Sequence, residues 1–341
     1  MLVINLPADE AMIEISVIIP VRNEGSFIEK VIDSLDSQAR DLHYFKLNLI
    51  IVDGRSNDRT AEIAFKKLLE LESDVFGGVV ITNISGDDSA PSNFNLGYSI
   101  VNTEYIFRLD GHTILSKNYL EQCIDTFLYL QKEKECPVYV SGQVEHFNDG
   151  QSYFSKGIPL AMNNPYVTAF SWRSVKTLGV IEVETAVFFL TKKKFFDIGG
   201  CYDLDMKKNE DDLHSFRFRK KGGRVFLTSD CKASQLARTT LHALAKQYFS
   251  WGRYKPEVIR KSRTFPRKAL IFYLFLAVIF LLVLIKYGFS LIFPFILIEL
   301  FGFLFIYKYM FFSVYIAAWV MRLSYLFGII IGVPFSIKRI Y

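Results

Sequence analysis

From residue 269 to residue 333 the chain is almost wholly apolar and aromatic. About 20 apolar residues suffice to cross a hydrocarbon core, so this run exceeds what the core helix of a soluble domain needs. The chain therefore divides into a globular part, residues 1–255, and a basic collar with a membrane domain, residues 256–341. Three segments are candidates to span, Ala269–Ile285, Gly288–Ile306 and Met310–Val333, which predicts two or three transmembrane helices. The second carries Glu299 and the third Arg322. Ionisable groups inside a bilayer are costly and usually face a partner or a cavity, so these two are candidates to pair. The alternatives put each near an interface, or lay one segment in the membrane plane. Three spans would leave Lys338 and Arg339 outside, against the positive-inside tendency. Immediately before the apolar run stand Arg253, Lys255, Arg260, Lys261, Arg263, Arg267 and Lys268, opposed only by Glu257. Such a cluster suits a cytoplasmic collar facing anionic lipid.

Hydrophobic residues make up 51% of the 341, and the excess lies in that tail. The formal charge of +5 is modest and does not point to nucleic acid. The four cysteines, Cys123, Cys136, Cys201 and Cys231, form no Cys-x-x-Cys pair, so neither zinc nor a disulfide framework is indicated. Asp9, Glu10 and Glu14 interrupt the amino terminus, which lacks the apolar core of a signal peptide and predicts a cytoplasmic globular part.

Within the globular part, apolar β-branched runs alternate with helical patterns. Ile15–Pro20 predicts a first strand, and Ser26-x-x-Glu29 has capping-box spacing for a helix to about Gln38. Leu47–Val52, Val79–Ile84 and Tyr105–Leu109 follow as strands. The helices between them start at Asn57 or Asp58 and at Ser92. The alternation predicts an α/β fold with a parallel sheet and right-handed crossovers. Later, Ser116–Gln131 predicts a helix, Thr185–Leu190 and Arg224–Leu227 strands, and Asp211–Lys221 a charged helix stopped by Gly222-Gly223.

Polar groups cluster where the early strands end: Pro20, Asn23 and Glu24; Asp53 with Ser56 and Asn57; Asp87-Asp88; and Asp110-Gly111-His112. In an open α/β sheet that edge is where ligands bind. On extended chain Asp110 and His112 point the same way and can hold a divalent cation. The competing reading of that trio is a polar Asp-Gly turn. The Gly-x-Gly-x-x-Gly of dinucleotide folds is absent, its place reading Pro-Val-Arg-Asn-Glu-Gly, and a P-loop lysine motif is absent too. A carboxylate-built site suits a metal-bridged diphosphate with hydrogen bonds to ribose and base.

Val17–Glu24, Ile51–Thr60 and Asp110-Gly111-His112 together resemble the nucleotide-sugar half of inverting family-two glycosyltransferases with the GT-A fold, over about residues 15–255. The chain is most similar to their membrane-attached branch, in which Asp-x-His replaces Asp-x-Asp. The resemblance implies a Rossmann-like GT-A domain followed by transmembrane helices. It implies Asp53 on the nucleobase and Glu24 on the ribose, with Pro20, Asn23 and Ser56 beside them. Asp110 would contact ribose or diphosphate and the metal, and His112 would bind Mn2+ or Mg2+. Asp211 would be the general base, with Glu210 beside it and Asp212 on the acceptor side, where Leu213-His214 departs from the family's further acid. Clustered carboxylates repel, which can raise one pKa and make a better base. Without the resemblance, three acids at a helix start would simply complement its dipole.

Gln247-Tyr248-Phe249-Ser250-Trp251-Gly252-Arg253 stands where the family carries a Gln-x-x-Arg-Trp element, and it lacks arginine at that spacing. That favours single-sugar transfer, while an amphipathic interfacial helix explains the same residues. Trp172-Arg173 and Glu184-Thr185 are candidates for the acceptor path, and His242 for a further metal ligand. The function implied is transfer of one sugar from a nucleotide-diphosphate donor, of uridine type, to a polyprenyl-diphosphate-linked acceptor in polysaccharide assembly at a membrane. The rivals are a processive synthase, a non-catalytic nucleotide-sugar-binding scaffold, and a nucleotidyltransferase, which would need a glycine-rich basic loop after the first strand.

Overall fold

The computed structural model describes residues 12–41, 45–168, 178–263 and 292–338. They fall into two compact units, one of Met1–His146 with Ser171–Leu236, the other of Phe147–Phe170 with Ala237–Tyr341. Residue 255, the end expected for the globular part, lies inside a helix of the second unit.

The first unit is a sheet with helices. Its strands are β1 (Ile13–Val21), β2 (Phe45–Asp53), β3 (Phe76–Thr82), β4 (Tyr105–Arg108), β5 (Thr113–Leu115), β6 (Val138–Phe147), β7 (Val180–Val183), β8 (Phe189–Lys192) and β9 (Arg224–Leu236). Their order is β3-β2-β1-β4-β8-β6-β9-β5, with β7 beside β9. The helices are α1 (Ile28–Asp41), α2 (Thr60–Leu71), α3 (Ala90–Ser99), α4 (Tyr119–Lys134), α6 (Lys193–Gly199) and α7 (Glu210–Lys220). Helix α5 (Tyr153–Met162) belongs to the second unit.

The expected parallel sheet is half right. β3, β2, β1 and β4 are parallel, but β4 pairs antiparallel with β8, and β5 and β7 pair antiparallel with β9. The early strands are parallel because each returns through a helix; β8 arrives about 80 residues later in the opposite sense. Ser16, Val17, Ile18 and Ile19 are all essentially buried, so β1 is covered on both faces, as a central parallel strand requires. The register pairs Val21 with Asp53 and Asp53 with Thr82, which brings the carboxyl ends of these strands to one edge.

Several boundaries moved. The expected strand at Thr185–Leu190 is β8, and Thr185 lies in the loop before it. Arg224–Leu227 is only the start of a strand running to Leu236. Helix α2 is preceded by Arg59 at φ 65°, not capped at Asn57 or Asp58.

The second unit holds α5, α8 (Leu241–Ser262), α9 (Ile292–Tyr307) and α10 (Phe311–Lys338), the last two joined by a turn of 3-10 helix at Lys308–Met310. Ile158, Met162, Leu244, Phe303, Val314 and Met321 belong to its core. α8 lies against α10 with backbones in contact: a Cβ on Gly328 would stand 2.2 Å from the Phe249 carbonyl oxygen. Glu257, 1% exposed, is held by Arg260 and by the Ser336 hydroxyl at 2.9 Å, so part of the basic collar is used internally.

Among the described residues one helical stretch, Ile296–Pro334, is long and apolar enough to cross a membrane, with mean hydropathy 1.9. It turns back on itself at Lys308–Met310. Phe303 meets Tyr315 edge-on at 5.6 Å, and Arg322 donates a hydrogen bond to Glu299, the pairing foreseen from the sequence. The candidate span Ala269–Ile285 lies outside the described residues.

Candidate active site

The loops after β1 and β2 are knotted together. Asn23 adopts a left-handed backbone at φ 57°, and its N–H donates to the Ser56 hydroxyl at 2.8 Å. Its side-chain oxygen accepts from the Asn57 N–H at 3.0 Å. Asp53, 3% exposed, accepts from the Ser56 N–H at 3.0 Å and from the Ser56 hydroxyl. The Glu24 N–H donates to the Thr60 hydroxyl at 2.9 Å, and the Gly25 N–H to Asp58 at 2.9 Å. Burial pushes the Asp58 carboxyl up, but hydrogen bonds from the Thr60 hydroxyl and from the Gly25 and Thr60 N–H groups outweigh it and hold the group low. Gly54 closes the knot where no side chain fits, since a Cβ there would stand 2.5 Å from Asn93 Nδ2 and 2.8 Å from the Asp88 carbonyl. Asn23, Asp53 and Ser56, foreseen separately, are thus one assembly with Pro20 at its root on β1. Thr60 was not foreseen; the Asp-x-Thr spacing that lets its N–H bond Asp58 at 3.2 Å was its signal.

Asp110-Gly111-His112 is not extended chain. The Thr113 N–H donates to the Asp110 carbonyl at 3.1 Å, closing a turn, so the expected common facing is corrected. Asp110 meets Gln235 Nε2 at 3.2 Å and Arg108 at 3.8 Å, while His112 Nδ1 lies 3.1 Å from Glu24 Oε1. Glu24, expected on the ribose, is therefore in contact with His112.

Among the described residues no three His, Cys, Asp or Glu side chains group closely enough to hold a metal ion on their own. The donors available are Asp110 and His112. A metal-ligating histidine usually gives its other ring N–H to a carboxylate, which fixes the tautomer. Glu24 stands where it would receive that N–H and leave Nε2 as the ligand atom. The donor set therefore fits a divalent cation whose remaining ligands come from a bound diphosphate and water. If it does, Glu24→Ala lowers apparent Mn2+ affinity about 10–100-fold, measured as the Mn2+ dependence of donor binding.

The carboxylates of α7 are not an isolated acidic cluster. Glu210 and Asp211 are 7% and 8% exposed. Glu210 accepts from Arg108 Nη2 at 2.9 Å, and Arg108 Nη1 donates to the Tyr202 hydroxyl at 2.6 Å. Arg108 is 3% exposed at the end of β4, and its guanidinium lies 4.8 Å from the Tyr202 ring. The expected repulsion among the acids is thus answered by a buried cation. Asp212 follows, half-buried, on the next position of the helix. Thr185, 5% exposed, reaches α7 through Ser215 at 3.2 Å, while Glu184 is exposed in the same loop.

Asp88 is bound by Arg22 at 2.8 Å and by Arg55 at 3.5 Å, and Asp87 by Lys207 at 2.7 Å. Burial raises Asp87, but Lys207 and the Ser89 hydrogen bonds outweigh it and hold the carboxyl below its usual range.

His214, where the sequence departs from the family, is 1% exposed and boxed by Tyr139, Phe189, Phe196 and Tyr202, with the Tyr139 hydroxyl 2.9 Å from Nε2. Burial lowers its pKa from 6.5 to about 3. The unfolded chain then takes up a proton that the folded one does not. Stability is full above pH 6.5 and falls as pH drops from 6.5 towards 3, by up to about 1.4 kcal/mol per unit from this group. Urea midpoints at pH 7.5 and 5.0 check this, and His214→Gln flattens the dependence.

Trp172 and Arg173 lie outside the described residues. Gln247, Trp251 and Arg253 lie on α8 in the second unit, where Trp251 meets Tyr248 edge-on at 4.9 Å. His242 lies on the same helix, exposed beside Lys246 on the wall of an open groove.

This is a GT-A-like mixed α/β fold with an acidic edge. It superposes on the crystal structure of Staphylococcus aureus TarS with a TM-score of 0.50 at 14% identity, covering 75% of this chain and 45% of that one. Residues 16–197, more than half of the chain, match glycosyl transferase family 2, and the chain belongs to that family. It is 27% identical over 250 residues to the succinoglycan biosynthesis protein ExoA of Rhizobium meliloti, covering 73% of this chain and 71% of that protein. It is 25% identical to a dolichyl N-acetyl-alpha-D-glucosaminyl phosphate 3-beta-D-2,3-diacetamido-2,3-dideoxy-beta-D-glucuronosyltransferase of Methanococcus voltae, covering 73% and 74%. It is 24% identical to a poly-beta-1,6-N-acetyl-D-glucosamine synthase of Staphylococcus aureus, covering 78% of this chain and 62% of that enzyme.

Proposed function

We propose that this protein is an inverting glycosyltransferase that moves one sugar from a nucleotide-diphosphate sugar, of uridine type, to a lipid-linked saccharide in polysaccharide assembly. The observation that carries the reading is one edge of one sheet. It holds the Asn23–Asp53–Ser56 knot, the Asp110–His112 turn, and α7 with Asp211, tied to that turn by Arg108.

In this reading Asp53 and Ser56 seat the nucleoside, with Pro20 and Asn23 shaping the loop beneath it. Asp110 and His112 face the diphosphate. A divalent cation, Mn2+ or Mg2+, held by those two residues would neutralise charge building on the leaving nucleoside diphosphate. Asp211 takes the proton from the acceptor hydroxyl as its oxygen attacks the sugar's anomeric carbon. The bond from that carbon to the diphosphate oxygen breaks and its electron pair leaves with the diphosphate. One in-line displacement inverts the configuration. Asp212 and Arg173 remain assigned to the acceptor side, and Gln247, Trp251 and Arg253 remain candidates on α8 by their place in the sequence alone.

The lipid-linked acceptor is supported by the apolar stretch Ile296–Pro334 and by the name of the Methanococcus relative, which specifies a dolichyl phosphate-linked sugar; the name of the Rhizobium relative supports polysaccharide assembly. Such a stretch attaches the enzyme where a lipid substrate diffuses in two dimensions, with the globular part on the cytoplasmic side and α9 and α10 as its membrane helices. Likeness to the staphylococcal synthase favours a processive alternative, and product length separates the two.

The deciding experiment is nucleoside diphosphate release by the detergent-solubilised chain on a panel of nucleotide sugars, with Mn2+ or Mg2+ and membrane lipid extract. Metal-dependent release from one donor, lost in Asp110→Ala and Asp211→Ala, is the expected result. Nucleotide binding with no turnover on any donor would replace it with the scaffold reading.

A further inference from the structure

A guanidinium at the end of a buried strand is an expensive choice. Ile106 and Phe107, its neighbours on β4, are both 0% exposed, and Arg108 itself is 3% exposed. A buried charge persists only where partners compensate its lost hydration. Arg108 has four. Glu210 lies 2.9 Å away, the Tyr202 hydroxyl 2.6 Å, Asp110 3.8 Å, and the Tyr202 and Phe94 rings flank the guanidinium at 4.8 and 5.7 Å.

These partners come from near and distant parts of the chain. Asp110 belongs to the turn after β4, on the donor side. Glu210 is the first residue of α7, 102 positions away from Arg108, and the next residue of that helix is Asp211. Tyr202 is itself fixed, exchanging two backbone hydrogen bonds with the Asn95 side chain at 2.7 and 2.9 Å. One planar fork therefore joins the donor turn to the start of the base-bearing helix.

Glu210 accepts a charge-assisted hydrogen bond from a buried cation, which is shorter and stronger than a neutral one. Asp211, the next residue, stands about 100° further round the helix.

We propose that Arg108 is a positioning residue: by clamping Glu210 it holds the start of α7, and with it Asp211, in place relative to the Asp110 turn. This rests on the reading of Asp211 as base, and Glu210 becomes part of the clamp instead of a second base. Lysine cannot replace arginine here, because a point ammonium cannot span the Tyr202 hydroxyl and Glu210 with one rigid fork.

The test uses the full detergent-solubilised chain and whichever donor of the nucleotide-sugar panel wild type turns over. Rates are normalised to donor-binding sites. Arg108→Lys lowers kcat about 10–100-fold while donor KM stays within about threefold, the pattern of an interaction needed in the transition state and not for donor binding. Glu210→Gln, which keeps a hydrogen-bond acceptor for the fork, costs about tenfold, whereas Asp211→Asn costs at least about a thousandfold. Wild-type kcat per site in Arg108→Lys, or a Glu210→Gln loss as deep as that of Asp211→Asn, overturns the proposal. A merely structural arginine would lower the melting temperature and the number of sites without changing kcat per site.

Hydrogen exchange reads the clamp separately from turnover. In Arg108→Lys the amides of residues 210–214 exchange faster while those of β1 and β2 do not change. Unchanged exchange at the start of α7 overturns the clamp whatever the activity. Retained transfer in Asp211→Asn removes the base reading instead, and the exchange result still decides whether Arg108 holds α7.

Discussion

Asp211→Asn lowers kcat by about three to four orders of magnitude with little change in donor affinity. That corresponds to about 4–5.5 kcal/mol of lost transition-state stabilisation. Asparagine keeps the size and the hydrogen-bonding oxygen, so α7 and its contacts survive; only the capacity to take a proton goes. The carboxylate is 8% exposed, so bulk water has little access to substitute for it. The check is single-turnover transfer at saturating donor beside equilibrium donor binding. A loss appearing in binding alone would move Asp211 out of the chemical step.

Asp53→Ala weakens donor binding by about two orders of magnitude. The carboxylate is 3% exposed and accepts both the Ser56 N–H and the Ser56 hydroxyl. Ser56 in turn receives the Asn23 N–H, so one side chain supports the loops after both β1 and β2. Each hydrogen bond to a charged group contributes about 1.5–3 kcal/mol, and every 1.4 kcal/mol is tenfold in a dissociation constant. Asp53→Asn retains part of this and is expected between wild type and Asp53→Ala. Calorimetric titration with the cognate nucleoside diphosphate measures both. Wild-type affinity in Asp53→Ala would remove the residue from the nucleoside site.

The two variants address parts of the site that differ in how well the sequence reveals them. The Asp53 knot is made from two short segments, each beginning where a β-branched run ends. Strand ends are visible as breaks in hydrophobicity, and parallel pairing sets such ends side by side, so Asn23, Asp53 and Ser56 were legible at one edge, while the hydrogen bonds that join them were not. The Asp110 turn was legible as residues and misjudged as geometry. Extended chain predicted a common facing, whereas the local hydrogen bond from Thr113 to Asp110 closes an Asp-Gly turn and sends the two side chains to Gln235 and Glu24. Arg108 stood in plain view as a charge in an apolar strand, but its partner lies 102 residues away.

By itself the sequence determined the parts that depend on local pattern. These are the four early strands and their helices, the acidic edge, the motifs of a family-two glycosyltransferase, and the apolar tail with Glu299 and Arg322 as candidates to pair. Tertiary structure alone decided the antiparallel half of the sheet, the contact of Glu24 with His112, the joining of Asp110 to Glu210 through Arg108, and the burial of His214. Hydrophobic period and turn chemistry act over a few residues and can be read along a chain. Which distant charges meet is set by how strands and helices pack to exclude water, and the energy of a buried ion pair exists only once that packing has formed.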